Sequence, residues 1–169
     1  MPRIHTSPMH LPDHVWQTIS VAVTAEPKID STRNTPERLK DLYESDLAVV
    51  LMSGSEAMGF IAAWPVAEGF VEIGSIWIRK DFRGQGLSKE LYRAVASLSG
   101  ISNVVTFGIT TNPISVRVGT RVGLTIVEDW DRCIPSHLSC GICEIMTPAE
   151  RPTCPKRGVS CWLRVMIRK

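Results

Sequence analysis

Residues Ile76 to Val95 read IWIRKDFRGQGLSKELYRAV. A β-branched and aromatic run comes first, then a turn carrying Gly84 and Gly86, then a helical pattern in which Leu87, Leu91, Val95 and the following Leu98 recur on one side. A strand that leads through a glycine turn into a helix presents the unpaired N–H groups of the first helical turn at its mouth, a site suited to an anion such as phosphate. Glycine lets the backbone approach closely and take positive φ. Arg83 adds a cation beside those groups. The same string also fits a plain strand-to-helix turn with a solvated arginine. Its spacing is neither G-x-x-x-x-G-K-[ST] nor the dinucleotide fingerprint, whose third glycine and downstream acid are missing.

Composition narrows the setting. At 169 residues and 44% hydrophobic the chain can bury one sizeable core, so a single domain over 1–169 is expected, with a Cys-rich connection at about 131–158. A net charge of +2 is too slight for a nucleic-acid footprint. No apolar run approaches the length of a bilayer span, so a soluble, cytoplasmic protein without membrane contact is expected. Five cysteines, an odd number and all beyond residue 130, do not read as a secreted disulfide framework.

Outward from the quoted stretch the pattern stays mixed. PRIHT reads as a short first strand, and Pro12 to Val23 sets Val15, Ile19 and Val23 on one helical face. Thr35 then Pro36 supply an N-cap and a first-turn proline for a helix with Leu39, Leu42 and Tyr43 on its apolar side. LAVVLM, the turn SGSE and MGFIAAW form a hairpin, and FVEIGSIWI is a third strand after the turn at Glu68 and Gly69. NVVTFGIT is a strand, a helix starts at Pro113, and LTIVEDW and CWLRVMI close the order. That order predicts an α/β sandwich of a mixed sheet and helices. Trp64, Trp77 and Trp130 read as core rather than ligand stackers.

Arg83-Gly84-Gln85-Gly86-Leu87-Ser88 resembles motif A of the GNAT superfamily of N-acetyltransferases, Arg/Gln-x-x-Gly-x-Gly/Ala, with Ser88 where Gly or Ala is usual. The resemblance implies an α/β fold, an α+β sandwich with a mixed, mostly antiparallel central sheet flanked by helices. It also implies acetyl-CoA as cosubstrate, held by Trp77, Ile78, Arg83, Gly84, Gln85, Gly86, Leu87, Ser88, Asn112 and Ser115. In TTNPISVRVGTRVGL, Asn112 caps a helix, Pro113 fits its first position, Ile114, Val118 and Val122 make an apolar stripe, and Gly123 suits the C′ end. Many members carry a tyrosine four residues before that glycine as general acid for the departing thiolate; here the position is Gly119. A tyrosine introduced there is expected to leave activity unchanged or raise it unless the ring blocks the acceptor.

Acetyl transfer needs a fixed donor for the acyl oxygen, which the resemblance places on the strand around Ile78, and a group to take the amine proton. Glu72 is the candidate base, six residues before Ile78 and on the same face by period two. Cys140 and Cys143 form a C-x2-C knuckle, with Cys133, His137, Cys154 and Cys161 nearby. With the second knuckle missing, reduced thiols are favoured over zinc, and no metal is assigned. Two classes of function stay open. One is an acetyltransferase acting on a primary amine of a small molecule, peptide or protein; the other is a non-catalytic module that binds coenzyme A or a protein partner. A homodimer is left open.

Overall fold

The computed structural model describes residues 2–7, 9–26, 33–127, 134, 135, 138 and 161–166. In chain order these are β1 (Arg3–His5), α1 (Asp13–Thr24), α2 (Pro36–Glu44), β2 (Ala48–Ser53), β3 (Glu56–Ala67), β4 (Phe70–Ile78), α3 (Leu87–Ala96), β5 (Val105–Thr110), α4 (Pro113–Thr120), β6 (Leu124–Val127) and β7 (Trp162–Met166). The strands form one seven-stranded sheet in the order β1-β2-β3-β4-β5-β7-β6. Its pairs are antiparallel except β4 with β5, which α3 joins as a crossover. The mixed, mostly antiparallel sheet between helices is the expected α/β sandwich. β7 lies between β5 and β6, so β5 and β6, consecutive strands in the chain, are not neighbours in the sheet.

Local signals start the elements where the chemistry asks for it. Thr35 Oγ1 accepts from Arg38 N–H at 3.4 Å with Pro36 in the first turn of α2. Asn112 Oδ1 accepts from Ile114 N–H at 2.9 Å at the head of α4. Helix α4 ends at Thr120, so Gly123, at φ +99°, serves the turn into β6 rather than the C′ position. The expected stripe on α4 is also shorter than periodicity implied. Val118 and Val122 pack inward while Ile114 is exposed.

The sheet has a core on each face. Val15, Trp16, Ile19 and Val23 of α1 and Leu39, Leu42 and Tyr43 of α2 cover Ala48, Val50, Phe60, Ala62 and Trp64. Leu91, Tyr92 and Val95 of α3 cover Val49, Leu51, Ile61, Ala63, Val71 and Ile73 on the other face. Leu91 and Val95 are fully buried, and truncating such a leucine to alanine costs about 2–5 kcal/mol. That packing fixes where the head of α3 stands.

β4 changes faces partway along its length. Val71 and Ile73 face α3, but beyond Ser75 it is Ile76 and Ile78 that pack there, while Trp77 turns to the α1 and α2 side. Ser75 adopts φ +53°, and the register with β3 slips between Phe60 and Ala62. A bulge of this kind adds one residue and reverses the alternation beyond it. The expectation that Glu72 and Ile78 share a face is therefore corrected. Period two holds only in an unbulged strand, and Glu72 faces α1 and α2 while the Ile78 side chain faces α3. The unusual backbone at Ser75 is held by hydrogen bonds: Trp64 Nε1 donates to Ser75 Oγ at 3.2 Å, and Ser75 Oγ donates to Asn34 Oδ1 at 3.0 Å.

Candidate functional site

β4 and β5 pair only at Phe70–Val105, Val71–Thr106 and Glu72–Phe107. Beyond that point β4 runs on to Ile78 and β5 to Thr110, so the sheet opens between them. The backbone of Ile78 is turned toward this opening. Arg79 N–H donates to Met58 O at 2.8 Å, which makes the adjacent Gly59–Ile78 pair a non-hydrogen-bonded one. The N–H and C=O of Ile78 consequently point away from β3, toward the side β5 has left.

The turn after β4 carries the anion-binding features. Gly84 and Gly86 take φ +81° and +80°, and a Cβ built at either meets nothing within 4 Å. The backbone there is bare on its outer side. Gly86 is the N-cap of α3, and the N–H groups of Leu87 and Ser88 precede the helix's own hydrogen bonds. They find no acceptor among the described residues. The loop is braced by Arg79, whose Nε and Nη2 grip both oxygens of Asp81 at 2.8 and 2.9 Å while Nη1 holds Glu56 at 2.7 Å. The hydrogen bond from Arg79 holds the Asp81 carboxyl below its ordinary range. Gln85 reaches back to Asp81 O at 3.3 Å. Arg83 is engaged on both sides: its Nε donates to Ile78 O at 2.7 Å and its Nη2 pairs with Glu26 just beyond α1. It ties the turn to β4 and α1.

Glu72 lies on the other face of the sheet from α3. Arg33 Nη1 donates to its Oε2 at 2.7 Å, with both side chains mostly buried. The Arg33 guanidinium sits 4.7 Å from the Trp64 ring centroid, and Arg38 lies 5.9 Å from the same ring. A Cβ at Gly74 would lie 2.8 Å from Arg33 Nη2, so this glycine makes room for the pair. Instead of the apolar surroundings a strand glutamate suggests, the carboxylate has a fixed guanidinium partner.

On the α3 side, the Ser115 hydroxyl meets Tyr92 Oη at 2.8 Å. Arg164 of β7 reaches the same point, its Nη1 donating to Ser115 O at 2.9 Å and to Tyr92 Oη at 3.4 Å. Gly119, where the resemblance leads one to look for a tyrosine, has no room for one. A Cβ there would stand 2.6 Å from Arg164 Nη1 and 3.0 Å from Leu124 Cδ1. The expectation that tyrosine is accommodated at 119 is corrected, because a guanidinium from the distant C-terminal strand fills the space.

Of the remaining candidates, Trp77 is core, buried opposite Phe60. Trp64 is core that also donates to Ser75. Asn112 is the exposed cap of α4. Cys161, partly buried just before β7, packs beside Phe107, Ile109 and Leu163. Trp130, Cys133, His137, Cys140, Cys143 and Cys154 lie outside the described residues. No helix among the described residues is long and apolar enough to cross a membrane. Arg33, Asn34, Ser75, Tyr92 and Arg164 were not singled out by sequence. The signals that existed were faint: Gly74 and Gly119 each mark a place where an arginine from elsewhere comes close.

The model of the acetyltransferase (GNAT) family matches residues 15–117. No curated protein matches the chain. Among solved structures, diaminobutyrate acetyltransferase EctA from Paenibacillus lautus, in complex with L-2,4-diaminobutyric acid and coenzyme A, superposes with a TM-score of 0.66 at 12% identity, over 98% of this chain and 94% of that one. Rv2747 from Mycobacterium tuberculosis, in complex with CoA, gives 0.65 at 14% identity over 98% and 99%. N-acetylglutamate synthase from Neisseria gonorrhoeae gives 0.60 at 15% identity over 99% of this chain and 36% of that one. At these identities the likeness is one of fold.

Proposed function

Because the chain belongs to the acetyltransferase (GNAT) family, we propose that it transfers acetyl from acetyl-CoA directly to a primary amine. The observation that carries this reading is the opening between β4 and β5, with bare N–H groups at the head of α3 on one side of the sheet and Glu72 on the other. The residues present fit the cosubstrate. The backbone of Gly84 to Ser88 would hold the pyrophosphate, with Ile78, Asn112 and Ser115 along the opening, Trp77 supporting β4 from the core and Arg83 fixing the turn rather than contributing its charge.

Coenzyme A supplies the thioester and a tolerable leaving group. The protein supplies position and proton management. Ile78 N–H, aimed away from β3, donates to the acyl oxygen as charge develops there. The acceptor approaches from the α1 and α2 face, its nitrogen forms a bond to the acyl carbon, and the carbon–sulfur bond breaks with its electron pair leaving on sulfur. Glu72 takes the proton lost by the amine, and Arg33 keeps the carboxylate aimed.

Two measurements test this. Acetyl-CoA should raise Tm, contributing about 2.7 kcal/mol at a hundredfold excess over Kd. A panel of amines, followed by release of free thiol, should then reveal an acceptor. Absence of any shift at millimolar ligand, in folded protein, overturns the binding assignment; tight binding without transfer to any amine makes the chain a CoA-binding module.

A further inference from the structure

Arg164 is 1% exposed, among the most completely buried large side chains of the protein. Among the described residues no carboxylate meets it. Nη1 has Ser115 O and Tyr92 Oη, Nε has no partner, and the guanidinium stands 5.8 Å from the Tyr92 ring centroid. Removing a cation from water with so little compensation is costly, and buried charges are ordinarily paired. A cation buried in this way is a candidate for a functional role.

Its position indicates which. Arg164 pairs with Gly108 across β5 and β7, and Gly108 is the first β5 residue beyond the last β4–β5 pair. A Cβ at Gly108 would lie 3.1 Å from Arg164 Nη2 and 3.1 Å from Ile73 O, so this glycine lets the guanidinium come up against the backbone where β4 and β5 part. A Cβ at Gly119 would lie 2.6 Å from Nη1. Two glycines, one on β5 and one on α4, therefore clear the space that this cation occupies beside the opening.

We propose that Arg164 faces the sulfur of bound coenzyme A and stabilises the thiolate as the carbon–sulfur bond breaks. The inference rests on the acetyltransferase reading above. The reaction creates an anion on sulfur, on the α3 and α4 side of the sheet, where a buried cation has no carboxylate partner among the described residues. Arg164 contributes charge to this step and no proton. It acts as a fixed charge, the sulfur takes its proton from solvent on release, and Glu72 returns the amine's proton to solvent from the opposite face. Ser115 and Tyr92 hold the guanidinium in place.

The test needs no acceptor. Binding of coenzyme A is measured by calorimetry across the thiol titration range, beside desulfo-CoA, which cancels every protein group that titrates with both ligands. A cation beside sulfur favours thiolate over thiol, lowers the bound thiol pKa beneath its ordinary ~8.5, and makes affinity rise with pH. Coenzyme A should gain about tenfold over desulfo-CoA for each unit by which the thiol pKa falls. Arg164→Met, which keeps the volume and removes the charge, should abolish the gain, and Arg164→Lys should retain part of it. Equal pH dependence of the two ligands in the wild-type protein overturns the inference whether or not the variants fold. A gain that survives in Arg164→Met overturns it as well. Failure of both ligands to bind at any pH would instead remove the acetyltransferase reading on which the inference stands.

Discussion

Arg33 and Glu72 meet at 2.7 Å across 39 residues of sequence, the guanidinium stacked against Trp64 and the carboxylate rising from the last β4 residue that pairs with β5. An amine arriving from the α1 and α2 face meets a carboxylate already oriented by an arginine. Glu72→Gln should lower turnover by about 10²–10⁴-fold, the usual contribution of a general base, while acetyl-CoA affinity stays unchanged because the cradle lies on the other side of the sheet. Steady-state kinetics with an acceptor from the amine panel, beside calorimetry of acetyl-CoA, separate the two effects. Turnover equal to wild type would take the base assignment away from Glu72.

The head of α3 offers a prediction about backbone rather than side chains. Gly86 at φ +80° has open space around its Cβ position, so a substitution there meets no clash yet must adopt a conformation that β-branched residues avoid. Gly86→Val should therefore distort the turn, weaken acetyl-CoA binding and shrink the ligand-induced rise in Tm, with the core under α3 intact. Circular dichroism checks the fold and calorimetry the affinity. Unchanged affinity in a folded variant would place the pyrophosphate elsewhere.

Most elements were legible because their signals are local. Thr35-Pro36 and Asn112-Pro113 announce helix starts, the alternation in β4 announces a strand, and the glycine turn announces the cradle. Ser75 defeats such reading. It sits in a well-patterned strand as an ordinary small residue, and the partners that hold it at φ +53°, Trp64 and Asn34, lie 11 and 41 residues away. One hidden bulge was enough to put Glu72 on the wrong face. Arg33 against Glu72 and Arg164 against Gly119 are likewise invisible to periodicity, since each joins segments that only the folded sheet brings together.

Asp81 yields a pH prediction with a defined sign. Its pKa is lowered in the folded state by the hydrogen bonds from Arg79, so its contribution is fully present above the ordinary aspartate value of about 3.9 and is lost as pH falls through the lower folded value. Asp81→Asn should therefore lower Tm near neutral pH, and the difference from wild type should fade in acid. The pair is exposed, so the difference should also fade with salt. Thermal melts across pH and salt check this; a difference indifferent to both would mean that Asp81 acts through packing.

Gly119 and Arg164 share one volume, and that makes a size-swap experiment decisive. A Cβ at 119 already lies 2.6 Å from Nη1 and 3.0 Å from Leu124 Cδ1, so a phenol ring at that position must push the buried guanidinium aside. Overpacking of this kind costs about 1–3 kcal/mol or more, which exceeds the ~1 kcal/mol at most that replacing a helical glycine returns. Gly119→Tyr alone should lower stability in denaturant titrations and lower activity with it. Arg164→Ala alone leaves a cavity and an unmade hydrogen bond at Ser115 O, a loss reduced by no longer burying a charge. In the double variant the ring enters the space the arginine vacated, so the combined loss should be smaller than the sum of the two, by an interaction energy of about 0.5–3 kcal/mol. Strict additivity would show that the two residues do not compete for space, and a Gly119→Tyr variant more stable than wild type would show that Arg164 yields the site without cost.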